Sequence, residues 1–204
     1  MITQIYGIIS LEDALACVEA GADYIGLVLL DSIKKDHVSV EEAKKIYAAI
    51  DGRAVKLAIL DLALKTEDEV IALAKELRPD ILHLCGHVTT NKAFYERFQR
   101  ELPGMKLMQA VAMTGPEAVD FAIEKAPYAD YYILDTVKKG ADGVGAAGAT
   151  HDWNISRKIV ETVGDKVKVV LAGGLGPDNV AAGIEAVHPF GVDSLTRTAI
   201  ERDG

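Results

Sequence analysis

The sequence predicts an α/β protein folded as a single (β/α)₈ barrel over residues 1–204, and three observations predict it. A short apolar strand, a turn and a helical stretch recur from end to end, about every 25 residues, eight times over. Several strands, among them Tyr24-Ile25-Gly26-Leu27-Val28-Leu29 and Val169-Val170-Leu171-Ala172, are apolar throughout, the pattern of parallel strands buried on both faces. No glycine fingerprint follows the first strand: Gly7-Ile8-Ile9-Ser10 departs from the G-x-G-x-x-G turn, so an open doubly wound sheet is the second reading.

The first strand is read at residues 3–8, and Ser10 caps a helix at 11–19 that Gly21 closes. A strand at 22–29 follows. The helix at 40–49 has Ser39 as its cap and Glu42 three positions later, a predicted capping box, and Gly52 closes it. After a strand at 54–62, Thr66 and Glu69 form the same pattern at the head of a helix at 67–77. Strands at 80–86 and 105–113 come next, and Thr114 precedes a helix at 116–125. Strands at 130–136 and 166–173 lead to a helix at 178–186 with Pro177 near its start, and a strand at 191–196 is the eighth. Only 8 residues follow, 197–204, too few for a closing helix. That helix is expected to be missing from this sequence; otherwise an uncovered flank would recruit a partner subunit.

The formal charge is 22 − 31 = −9, a poor electrostatic match for nucleic acid or anionic lipid. An anionic small molecule therefore needs a local positive site of backbone N–H groups and a few side chains. The first basic residue is Lys34, which argues against a secretory leader, and the apolar run near Tyr24 falls far short of the ~20 residues that span a bilayer. Cys17 and Cys85 make no metal-ligand spacing, nor do His37, His83, His87, His151 and His188, so no metal and no cofactor are expected. A reduced, cytoplasmic setting is the simplest expectation.

Chemistry in such a barrel sits where strands end and the loops toward the helices begin. Gly173-Gly174, at the end of the seventh strand and before a helix start, lets amides approach a phosphate; a tight turn alone is the competing reading. The long glycine-rich segment 138–153 reads either as a cover over a ligand or as a flexible loop. Asp135 ends the apolar strand Tyr131-Tyr132-Ile133-Leu134, where a carboxylate must be hydrated, paired or ligand-facing; it is read as a catalytic acid or base, with a structural ion pair as the alternative. On the fourth strand, period two places His83 and Cys85 on the barrel-interior face and the leucines toward the helices. His83 there is a proton-transfer candidate, or a hydrogen-bonded interior histidine. Cys17 is read as packing.

These stretches, in this order, resemble the phosphoribosylanthranilate isomerase family of tryptophan biosynthesis over essentially the whole chain. The likeness lies in Leu11-Glu12-Asp13-Ala14, Glu19-Ala20-Gly21-Ala22-Asp23-Tyr24-Ile25-Gly26, Ile133-Leu134-Asp135-Thr136, Asp152-Trp153, Leu171-Ala172-Gly173-Gly174-Leu175 with Pro177 and Asn179-Val180, and Gly191-Val192-Asp193-Ser194. The resemblance implies the (β/α)₈ fold and an Amadori rearrangement that opens a phosphoribosyl ring attached to an aromatic amine. It implies a cysteine base on the first strand, an aspartate acid on the sixth and a phosphate held by the loops after strands six, seven and eight. Asp135 matches the acid, and Gly173 and Gly174 match the phosphate loop.

Other positions depart from the family. Its Cys-Gly-Ile reads Tyr6-Gly7-Ile8, and a phenol with a pKa near ~10 is a weak, bulky substitute for the base. Ser-Pro-Arg after the second strand reads Lys34-Lys35-Asp36; Gln-Leu-His-Gly on the fourth reads His83-Leu84-Cys85-Gly86. Gly-Gly-Thr-Gly reads Gly145-Ala146-Ala147-Gly148, and the serine pair after the eighth strand reads Leu195-Thr196, preceded by Ser194 and followed by Arg197. Asp36, Gly148, Ser194, Thr196 and Arg197 join the glycine pair as candidate ligand-binding residues. The expected function is a phosphosugar isomerase with an altered substrate, with Asp135 as acid, His83 as base and Tyr6 as a hydrogen-bond donor to an oxyanion. The alternative is a non-catalytic phosphosugar-binding or scaffold protein on the same barrel, and a metal-dependent hydrolase ranks third. The expected partner is a phosphorylated small molecule, with room for a homo-oligomer.

Overall fold

In a computed structural model, residues 1–29, 37–85, 90–137 and 150–199 are described. Asp36 and Gly148, with most of the glycine-rich segment, lie outside these residues.

Eight parallel strands close on themselves in the order β1 to β8: β1 (Ile2–Ile5), β2 (Tyr24–Val28), β3 (Val55–Asp61), β4 (Ile81–Cys85), β5 (Lys106–Met113), β6 (Tyr131–Thr136), β7 (Lys168–Leu171) and β8 (Gly191–Ser194). The ring shuts where β1 pairs with β8, from Ile2 opposite Gly191 to Ile5 opposite Ser194. The ladder runs one residue further, through the Tyr6 amide donating to the Ser194 carbonyl, and this carries Tyr6 to the mouth.

The helices are α1 (Leu11–Glu19), α2 (Val40–Ala49), α3 (Glu67–Leu77), α4 (Lys92–Glu101), α5 (Glu117–Lys125), α6 (Trp153–Val163) and α7 (Val180–Val187). Five of these seven heads are capped by a side chain. Ser10, Ser39, Thr66, Asn91 and Asp152 accept from amides of the first turn. Of the two predicted capping boxes only that of Thr66 and Glu69 is reciprocal; the Glu42 carboxylate turns instead to Lys45, 3.2 Å away. The sequence reading placed the last helix two residues early: its cap is Asn179, so Asp178 stays in the preceding turn.

Alternation along the strands sorts side chains into two cores. Leu27, Leu82 and Leu84 pack outward against α1 to α4, whereas Tyr6, Tyr24, Leu57, Met108, Ile133 and Val170 fill the barrel. Polar groups also enter that interior at Gln4, His83 and Asp193. Among the described residues no helix is long and apolar enough to cross a membrane, and no group of three or more His, Cys, Asp or Glu is placed to hold a metal ion.

Candidate active site at the C-terminal mouth

Asp135 is the next-to-last residue of β6. Its Oδ1 accepts the Thr136 amide at 2.7 Å, which holds the carboxyl at the barrel rim. Burial raises the group from the ordinary 3.8 to about 6, against the stabilising amide bond. Both its protonated and ionised forms are thus populated near neutral pH.

Asp193, one residue from the end of β8, sits deeper. It is 6% exposed, and its Oδ1 accepts Nε2 of Gln4 at 3.0 Å. Burial first, and then the charge of Asp135, push it well above the carboxylate range. Sequence reasoning passed over Asp193 and Gln4 as site residues. The signal was present: residues two apart on the first and eighth strands share a face, which groups Gln4 with Tyr6 and Asp193 with Leu195.

Tyr6 is 5% exposed, and its hydroxyl lies 2.7 Å from His83 Nδ1. Its ring occupies the space that a side chain at position 26 would fill. Burial, followed by the charge of Asp193, raises the phenol well above its usual range. His83 does face the interior, as period two predicted, and burial lowers it to about 3, so the imidazole is neutral. Cys85, half-buried two residues further along β4, is pushed up to about 12 by burial and then by Asp61; a thiol so held is a poor base.

The turn after β7 is built as an amide cradle. Gly173 and Gly174 have φ of +79° and +62°, a region costly for other residues. The Gly174 carbonyl accepts Asn179 Nδ2 at 3.0 Å and Arg197 Nη1 at 3.3 Å, and the Leu175 carbonyl accepts the Ser194 hydroxyl at 2.8 Å. Among the described residues, the N–H groups of Gly173, Gly174 and Thr196 meet no acceptor. Such a turn suits an anion. Ser194 contributes as a strut, Thr196 lies exposed, and Arg197 pairs with Asp178 at 2.8 Å beside the cradle.

His151 ties this rim to the helical layer. Its Nδ1 is 3.1 Å from the Thr136 hydroxyl and its Nε2 is 2.7 Å from that of the buried Ser156. Burial lowers it to about 4, so it too is neutral, and it anchors the end of β6 to the first turns of α6.

The family profile described as N-(5'phosphoribosyl)anthranilate (PRA) isomerase matches residues 3–204. The chain belongs to this family. A relative, N-(5'-phosphoribosyl)anthranilate isomerase of Methanocella arvoryzae, is 31% identical over 199 residues, covering 98% of this chain and 89% of its own. The crystal structure of phosphoribosyl anthranilate isomerase from Thermotoga maritima superposes with a TM-score of 0.78 at 25% identity, over 96% of this chain and 88% of that one. A second structure, described as mutually generated monomers of the dimeric isomerase from Thermotoga maritima, gives 0.74 at 25% identity and the same coverage. The PRA isomerase family thus accounts for the barrel, in whose interior Tyr6 and His83 touch.

Proposed function

We propose that this chain is an isomerase of a phosphorylated sugar or sugar conjugate, working by proton transfer next to a carbonyl or imine, on a substrate altered from that of its PRA isomerase relatives. The observation that carries the reading is the Asp135 carboxyl, held at about 6 by burial on the rim that also bears the Gly173–Gly174 amides. A group that populates both forms near neutrality can give a proton in one step and take it back in the next. The amide cradle binds the phosphate, with Arg197 beside it; the sequence reading adds Thr196, which is exposed, and Asp36 and Gly148, which lie outside the described residues.

The bond between Tyr6 and His83 redistributes the roles expected from the sequence. The phenol proton faces His83 Nδ1, and an imidazole lowered to about 3 takes up a proton poorly, so Asp135 is the better proton shuttle. The altered substrate follows from Tyr6. Where the family resemblance implies a thiol base, this chain has a buried ring that fills space and offers no thiol. The same ring favours one rival, a phosphosugar-binding or scaffold protein without turnover. The cytoplasm is the setting that fits a small-molecule isomerase with two free thiols, and the dimeric Thermotoga relative supports a homo-oligomer.

Turnover assays of the purified chain on phosphoribosylanthranilate and on a panel of aldose and ketose phosphates test this. Conversion of a panel member faster than phosphoribosylanthranilate supports the proposal. Binding of sugar phosphates with no turnover of any of them supports the rival.

A further inference from the structure

Tyr6 and His83 are both departures from the family pattern, replacing its first-strand cysteine and its fourth-strand glutamine, and the two replacements meet at 2.7 Å. The direction of that bond is set by the phenol. Burial and the neighbouring Asp193 hold Tyr6 protonated, so its hydroxyl donates and His83 Nδ1 accepts. A neutral imidazole carries one proton, which must then sit on Nε2. Nε2 is buried and has no hydrogen-bond partner among the described residues. Buried N–H groups are nearly always paired, so an unpaired one inside a barrel mouth points to an acceptor that arrives with a ligand. Glutamine at this position would also present an N–H; histidine braced by tyrosine presents it from a rigid ring.

We propose that Tyr6 and His83 act as one unit, in which the tyrosine fixes the imidazole tautomer and His83 offers Nε2–H as a neutral hydrogen-bond donor to the substrate oxygen beside the reacting carbon. The ligand class rests on the isomerase reading above. As the C–H proton passes to Asp135, its electron pair forms the carbon–carbon double bond and the carbonyl pair moves onto that oxygen. His83 stabilises the charge by hydrogen bonding and gives up no proton; the hydroxyl proton of the neighbouring carbon passes to that oxygen, its own oxygen becomes the new carbonyl, and the proton on Asp135 returns to the carbon that bore the original carbonyl. Tyr6 is a positioning residue; His83 is the group that touches substrate.

Nitrogen NMR of the full chain labelled with ¹⁵N-histidine tests both halves, with His83→Gln identifying the His83 signals. The expected result is a single His83 tautomer with the proton on Nε2, a tautomer mixture in Tyr6→Phe, and a shift of the Nε2–H signal on saturation with ribose 5-phosphate. In turnover of a working substrate, His83→Leu should lower kcat about 100-fold with little change in KM, and His83→Gln should recover about tenfold of that loss. A proton on Nδ1, or a tautomer indifferent to Tyr6→Phe, overturns the unit. Saturating ribose 5-phosphate that leaves Nε2–H unmoved, or undiminished kcat in His83→Leu, overturns the donor role. If no sugar phosphate binds, the isomerase reading fails, and the ligand-free spectra still decide whether tyrosine sets the tautomer.

Discussion

The ring of Tyr6 lies against the backbone of Gly26 on the neighbouring strand β2, so closely that a methyl group at position 26 would overlap ring carbons. Gly26 is therefore the space into which the bulk at position 6 fits. Close-packed interiors tolerate extra volume badly, because the displaced atoms have nowhere to go.

Gly26→Ala should destabilise the fold by about 1–3 kcal/mol through overpacking. It should also push Tyr6 off His83, so Gly26→Ala and Tyr6→Phe should disturb the His83 ¹⁵N spectrum alike. Chemical denaturation and that spectrum check the two halves.

Asp135 gives the chain a stability term of known sign. The folded state raises the carboxyl from 3.8 to about 6, so it binds a proton more tightly than the unfolded chain. The contribution is fully present below about pH 4 and is lost as pH rises through about 6. Asp135→Asn abolishes that loss. Its urea midpoint should match wild type at pH 4 and exceed it at pH 8, by at most about 3 kcal/mol for a displacement of about two pH units. Equal stability of the two proteins across this range would mean that the carboxyl is not buried.

Gly173→Ala places a methyl group against the Thr136 hydroxyl and amide, at a φ of +79°. We expect about 1–3 kcal/mol of destabilisation and at least tenfold weaker binding of ribose 5-phosphate, because the turn must shift away from β6. Calorimetric titration alongside thermal melts checks this.

Arg197 is held by Asp178 rather than by a buried partner, and exposed pairs of this kind yield easily to a competing anion. Arg197→Ala should weaken phosphate-ligand binding about 5–10-fold, whereas Asp178→Asn should strengthen it a few-fold by releasing the guanidinium. Both effects should shrink at high ionic strength.

Much of this was legible in the sequence because backbone physics repeats. All eight strands lie within the ranges that apolar runs marked, apart from Ile2 at the head of β1, and the caps read at Ser10, Ser39 and Thr66 head their helices. Period two gave the facing of His83. Helix α4 escaped notice although Asn91 caps it, since its polar face dilutes the apolar pattern. The site was harder to read. No local pattern reports that residues 6 and 83, on strands that do not pair, share a hydrogen bond, and nothing along the chain distinguishes Asp193 as a buried carboxyl group. Such properties belong to the closed barrel, which brings eight strand ends to one rim.

The most direct measurement of the central claim compares kcat for wild type and Asp135→Asn on the sugar phosphate that the chain turns over. Loss of a positioned proton donor predicts a fall of about 10²–10⁴-fold with the phosphate ligand still bound. Undiminished turnover in Asp135→Asn would contradict the account.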